Sequence, residues 1–323
     1  FAIDFGVVRF NGNGSLDSTF GNNGRVFTDF SGMTDDAKAV AIQSDGKTVA
    51  AGLTQTPLVP PASDVNFALA RYNSDGSLDS TFGNGGKVVT DISGVNLSDS
   101  INDLAIQSDG KFVAAGQTDT VVREEVDPES GQTVRIVRID FAIARFNVDG
   151  SLDSGFGNGG KTAVQVGDTP DAPSIANAVA IQPDGKILAA GIGDGFGVVR
   201  LNVDGSLDSS FGDGGKVNTA FVRARGDRAN AVMVAPGGKI IVAGRVDAQI
   251  GTDFGIARYE RDGTLDSSFG DGGKVMTDFA DLRNDDAKSV ARAIGGRILV
   301  GGFTQGTANP SGAAFAIARY ERH

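Results

Sequence analysis

At 323 residues the chain could hold about two ordinary domains, or one repeat architecture that grows by adding units. Hydrophobic residues at 40% allow a large core, and a net charge of −11 argues against non-specific binding to nucleic acid or an anionic membrane. Cysteine is absent and the only histidine is the final residue, His323, which excludes disulfides, thiolate nucleophiles, Cys-ligated metals and imidazole catalysis within the fold.

The chain opens on FGVVRF (Phe5–Phe10), apolar at almost every position as a strand buried on both faces would be. The phrase SLDSTFGNNGRV (Ser15–Val26) follows, leading into an alternating strand at Arg25–Phe30. Next, AVAIQ from Ala39 and a second apolar run flank Ser44-Asp45-Gly46, a tight-turn signal that predicts a β-hairpin. A loop at Leu53–Val65 carries Pro60-Pro61, and then the FGVVRF-type strand returns at Phe67 and the SLDS phrase at Ser77. The same order recurs at Asp103, Phe141 and Ser151, at Ala178, Phe196 and Ser206, and at Ala231, Phe254 and Thr264. It ends with Ser289 and Phe315. Between Gln117 and Ile139, TVVREEV and QTVRIVRI alternate around Asp127–Gly131, which predicts a projecting hairpin. No apolar run approaches the ~18 residues of a membrane span, and the segment from Phe1 does not read as a signal peptide.

Each unit therefore has four strands, here a, b, c and d. A four-stranded unit cannot bury both faces alone, and stacking copies radially is the β-propeller solution. The expected fold is all-β: one β-propeller domain over 1–323, with complete blades at approximately 37–91, 101–166, 176–220 and 229–279. Strands c and d at the N-terminus complement a, b and c at the C-terminus. A closing blade from 287–320 plus 4–30 would give five four-stranded blades, with Arg25–Phe30 in the sheet of Arg297–Gly302. One strand c is then surplus, so six blades, or part of a longer propeller, is the alternative.

The order a-b-c-d with a Pro-Asp-Gly-type turn is similar to the NHL-type propeller blade. The phrase N-x-D-G-S-L-D-x-x-F-G-x-G-G-K-V followed by A-V-A-I-Q-x-D-G-K resembles the delta-60 repeat family over nearly the whole chain. That resemblance implies a propeller module of a secreted or surface-displayed bacterial protein, placed extracellularly, on the cell surface or in the periplasm. It implies no reaction, because the family has no catalytic residues to carry over.

Asn147-Val148-Asp149-Gly150-Ser151-Leu152-Asp153 resembles the second half of a propeller calcium loop. Its first ligand position holds Arg145, however, and in the other copies Arg9, Arg71, Arg200 and Arg258. The reading is an arginine pair with each acid: Arg9–Asp17, Arg71–Asp79, Arg145–Asp153, Arg200–Asp208 and Arg258–Asp266, with no cofactor and no calcium. The phrase phenylalanines Phe20, Phe82, Phe156, Phe211 and Phe269 are expected as wedges between blades rather than carbohydrate platforms. Gly157–Lys161 ends in lysine but opens a strand, so it is not a phosphate loop. Arg225-Gly226-Asp227 matches the integrin tripeptide by chance. The acids at Asp35-Asp36, Glu124-Glu125 and Asp285-Asp286 read as solvated loop charges.

Loop lengths divide the two rims. The a–b turns and c–d phrases repeat from blade to blade, whereas the b–c and d–a loops take all the irregularity. Function is expected on that irregular rim, at Leu53–Val65, Gln117–Ile139 and Ala220–Arg228. The expected partner is a protein or glycan, or another domain of a larger parent chain, with neither nucleic acid nor membrane insertion. Candidate contacts are an acidic hairpin (Glu124, Glu125, Asp127, Glu129) and an arginine cluster (Arg223, Arg225, Arg228). The competing class is a propeller hydrolase or lyase with a carboxylate-bound metal in the central channel. It would need inward-facing acids on strand a of several blades, and only Asp103 supplies one.

Overall fold

Repeated apolar alternation broken by Asp-Gly turns yields strands and short 3-10 turns, with no α-helix among the described residues. The computed structural model describes residues 3–57, 63–94, 97–129, 131–169, 172–222, 226–248, 250–279, 284–305 and 312–321. The first sheet has two strands, β1 (Phe5–Val8) and β2 (Arg25–Thr28). Four sheets of four strands follow. They comprise β3 (Asp35–Ile42), β4 (Thr48–Pro57), β5 (Ser63–Tyr72) and β6 (Lys87–Thr90); and β7 (Asp99–Ile106), β8 (Phe112–Val126), β9 (Thr133–Phe146) and β10 (Lys161–Val164). Then come β11 (Ile175–Ile181), β12 (Ile187–Ile192), β13 (Phe196–Leu201) and β14 (Lys216–Thr219); and β15 (Arg228–Val234), β16 (Ile240–Asp247), β17 (Thr252–Tyr259) and β18 (Lys274–Thr277). A sheet of three, β19 (Asp285–Arg292), β20 (Ile298–Gln305) and β21 (Ala313–Tyr320), completes the set. Neighbours in each sheet are neighbours in sequence, as the a-b-c-d order requires.

The closing sheet expected from both chain ends is not among these six. β20 pairs with β21 from Ile298↔Tyr320 to Gln305↔Ala313, so the strand c beside β20 is the one that follows it in sequence. β1 pairs with β2 alone. Six sheets, two of them partial, is the number in the six-blade alternative.

Each strand a carries a register shift at one place, between Ala37/Ala39, Ile101/Asp103, Ala176/Ala178, Ala229/Ala231 and Ala287/Ser289. The bulge pushes a carbonyl toward strand b, and only glycine fits opposite it. A Cβ on Gly116 would stand 1.8 Å from the Ser100 carbonyl oxygen. The bulged residue reaches the next strand a: Asn177 Nδ2 donates to the Ala229 carbonyl at 2.8 Å, and Asn230 Nδ2 to that of Ala287 at 2.7 Å.

The chain divides into two compact units, Phe1–Ala163 and Val164–His323. Within each, the core lies between successive sheets. In the first unit Phe82 and Val88 of one sheet join Ile101, Phe112, Ala142 and Phe146 of the next. In the second, Phe211 packs with Ile240, Val242 and Tyr259. Strand c is fully enclosed in β13, whereas Phe315 and Ile317 of β21 are exposed.

Candidate functional site

Five arginine–aspartate pairs recur, one at the c–d loop of every sheet except β19–β21. Nε to Oδ2 distances are 2.8 Å for Arg9–Asp17 and Arg71–Asp79, 2.7 Å for Arg145–Asp153, and 2.6 Å for Arg200–Asp208 and Arg258–Asp266. All but the first pair are buried. Each guanidinium lies 4.4–4.6 Å from the ring centroid of the phrase phenylalanine. Arg9 Nη1 donates to the Ser74 carbonyl of the following sheet at 2.6 Å, and Arg71 Nη1 to that of Val148. Arg9, Arg71 and, through the Arg261 carbonyl, Arg200 therefore tie one sheet to the next, and each phrase phenylalanine is only 0–4% exposed.

A lysine at the start of strand b shares the carboxylate in the four sheets of four strands. Lys47, Lys111, Lys186 and Lys239 reach Asp79, Asp153, Asp208 and Asp266 at 2.5–2.8 Å. Burial alone would push the carboxyl of Asp208 up. Lys186, the Ser210 hydroxyl and N–H, and Arg200 outweigh it and hold the group well below the ordinary carboxylate range. Asp79 and Asp266 are held down in the same way. In each of these three carboxylates two cations occupy Oδ2, and a turn N–H and a hydroxyl occupy Oδ1.

The opposite, b–c end is irregular. β8 and β9 run on as a hairpin turned by Asp127–Gln132, with a bulge between Val121 and Arg123. The Asp119 N–H still donates to the Ser98 carbonyl at 3.0 Å, and beyond it β8 pairs only with β9 among the described residues. Val121, Val122, Val126, Val134 and Val137 are exposed on this hairpin. Its acidity is smaller than the sequence suggested: Arg123 pairs with Glu125 at 2.7 Å and Arg135 with Glu124 at 3.2 Å, both in the open. Asp127 accepts from the Glu129 N–H at 2.9 Å within the turn. Arg223 and Arg225 lie outside the described residues. Arg228 pairs with buried Asp286 at 2.8 Å, so much of its charge is already spent inside the fold. It lines a groove of about 490 Å³ together with Asp194, Asp227 and Arg245.

Two groups of three carboxylates also sit at the b–c end, Asp4–Asp29–Asp35 and Asp253–Asp278–Asp285, each with oxygens within 4.8 Å of one another. Burial, then the charges of Asp278 and Asp285, push the Asp253 carboxyl up to about 6. Sequence reading took Asp35 and Asp285 for solvated loop acids. Both are fully buried. The available signal was periodic: an acid stands at the start of strand a at Asp35, Asp99, Asp227 and Asp285. The shared lysines recur after the a–b turn, at Lys47, Lys111, Lys186 and Lys239, but only the fold's register brings each to its aspartate.

A family model described as "Domain of unknown function (DUF5122) beta-propeller" matches residues 2–20, 43–82, 138–156, 182–211 and 236–269. The match follows the repeated phrases and supports a β-propeller repeat. No curated protein matches the chain. Among solved structures, a protein of unknown function from Dyadobacter fermentans is similar at 12% identity, with TM-score 0.45, covering 86% of this chain and 74% of the other. An exo-1,5-alpha-L-arabinanase from a bovine ruminal metagenomic library is similar at 10% identity and TM-score 0.41, covering 87% and 91%. Sqt1 from Chaetomium thermophilum is similar at 15% identity and TM-score 0.42, covering 88% and 73%.

Proposed function

We propose that the chain is a non-catalytic binding module, a β-propeller of delta-60 type in a secreted or cell-surface bacterial protein, whose partner is a protein held at the b–c end. We further propose that the six sheets are its blades, two of them partial. The observation that carries the binding reading is the β8–β9 hairpin: it extends past its sheet with exposed valines, alternating charges and, beyond Asp119, no pairing on the β7 side among the described residues. Such an edge suits strand addition and apolar contact by a polypeptide. A glycan is less well served, since the phrase phenylalanines are buried and the hairpin has no aromatic residue. The a–b end supports the complementary half of the reading, because its polar groups are consumed by the clamps between sheets.

Deleting Val122–Val134 should leave the strand-type circular dichroism and the urea midpoint unchanged, since this segment contributes no buried valine. It should abolish capture of the native partner in a pull-down. Undiminished capture by the deletion variant would overturn the assignment.

A further inference from the structure

The acid at the start of strand a is buried in four sheets, and in each one oxygen is satisfied alike. Asp35, Asp99, Asp227 and Asp285 accept at Oδ2 from the N–H of Phe30, Ile92, Phe221 and Phe279, at 2.6–3.0 Å. The second oxygen divides them. Asp99 Oδ1 accepts from the Thr118 hydroxyl at 2.6 Å, and Asp227 Oδ1 from the Asp247 N–H at 2.7 Å. Asp35 Oδ1 and Asp285 Oδ1 have no hydrogen-bond partner among the described residues, although both are 0% exposed.

The missing bond is not for want of a donor. Thr54 stands opposite Asp35, and Thr304 opposite Asp285, in the register that places Thr118 opposite Asp99. Yet Thr54 Oγ1 donates to the Gln55 carbonyl at 3.3 Å, and Thr304 Oγ1 has no partner. A buried polar atom left unmatched is costly, so an orphan oxygen repeated at corresponding positions indicates a ligand.

These are also the two sheets where further acids converge. The residue before or early in strand c (Asp4, Asp253) and the residue after strand d (Asp29, Asp278) bring carboxylate oxygens within 4.8 Å of the orphaned acid. At the Asp99 position the strand c residue is Asn66, which donates its amide to Thr56. Two oxygens bound to one Ca²⁺ at ~2.4 Å stand at most about 4.8 Å apart, so the spacing fits that ion. Lys87 Nζ lies near the first group, on the Asp29 carbonyl at 3.1 Å.

We propose that Asp253, Asp278 and Asp285 form a divalent-cation site of the Ca²⁺ class, and that Asp4, Asp29 and Asp35 form a second of the same design. Each ion joins the end of strand d to the starts of strand c and of the next strand a. The sites lie away from the arginine-filled phrase at the other end of the sheets. Their role is to fasten the b–c end, where arginine clamps of that kind are replaced by loops of differing length.

The test uses the full chain, stripped with EDTA and titrated calorimetrically with CaCl₂ against NaCl of matched ionic strength and MgCl₂. The expected result is saturable Ca²⁺ binding with about two ions per chain, together with a melting temperature that Ca²⁺ raises and EDTA lowers again. Asp253→Asn should remove one ion and Asp4→Asn the other, while Asp91→Asn, outside both groups, should remove neither. Circular dichroism establishes that each variant folds. Should a variant fail to fold, the melting shift of the unaltered chain decides: no rise with Ca²⁺ beyond the NaCl control overturns the proposal. Unchanged stoichiometry in folded Asp253→Asn overturns it as well.

Discussion

Replacing Asp208 by alanine removes the centre of one clamp while leaving the strands around it intact. Oδ2 of Asp208 receives Arg200 Nε at 2.6 Å and Lys186 Nζ at 2.7 Å, and Oδ1 receives the Ser210 hydroxyl at 2.7 Å and N–H at 3.1 Å. Arg200 is only 6% exposed, so its charge would remain buried without a counter-ion, at a cost of ~3–5 kcal/mol. Lys186, at 29% exposure, rehydrates and adds little. Arg200 keeps the Arg261 carbonyl, the Ser210 hydroxyl and the Phe211 ring, which holds the loss to the lower half of that range, about 3–4 kcal/mol. Urea unfolding followed by circular dichroism measures it as a fall in midpoint at constant slope. The double variant Arg200→Met with Asp208→Leu should recover part of the loss, because no charge then stays buried. A loss below about 1 kcal/mol for Asp208→Ala, the value of an exposed pair, would refute the clamp.

The clamp was legible because it lies within one phrase. Arg200 and Asp208 are eight positions apart, and any periodic chain displays such a pair in every copy. What the phrase could not display is its second cation, since Lys186 reaches Asp208 from another strand through the fold's own register. The triads were harder still. Asp253, Asp278 and Asp285 come from strand c, the end of strand d and the following strand a, so no local spacing announces them. Burial is decided by packing too: Asp285 reads as a loop acid in sequence, but strand a begins with it and encloses it. The closing sheet misled for a related reason. Complementary end fragments are a statement about strand types, and pairing depends on which strand is nearest; β21, directly following β20, takes that place. The hairpin's acidity was overread because Arg123 and Arg135, counted as separate letters, fall beside Glu125 and Glu124 once the strands pair.

Acid should act on the clamps in a defined window. Asp79, Asp208 and Asp266 are held below the ordinary carboxylate value in the folded chain, so their stabilisation is complete above the unfolded pKa of about 3.9 and is lost as pH falls below it. Urea midpoints should therefore drop below pH ~4, and less steeply in Asp208→Asn; equal slopes would count against the assignment. A sharper comparison lies between two threonines in matched positions. Thr118 donates to Asp99 Oδ1, so Thr118→Val leaves a buried carboxylate oxygen unpaired and should cost ~1–3 kcal/mol in a urea melt without divalent ions. Thr304 faces Asp285 in the same register, yet its hydroxyl has no partner, so Thr304→Val removes an unsatisfied polar atom of the same shape and should be neutral or stabilising. The two substitutions share chemistry, strand and position in the repeat, and differ only in whether the hydroxyl is used. Equal losses would mean that Thr304 turns toward Asp285 as Thr118 does toward Asp99. The orphan oxygen at Asp285 would then disappear, and with it the reason to place an ion there.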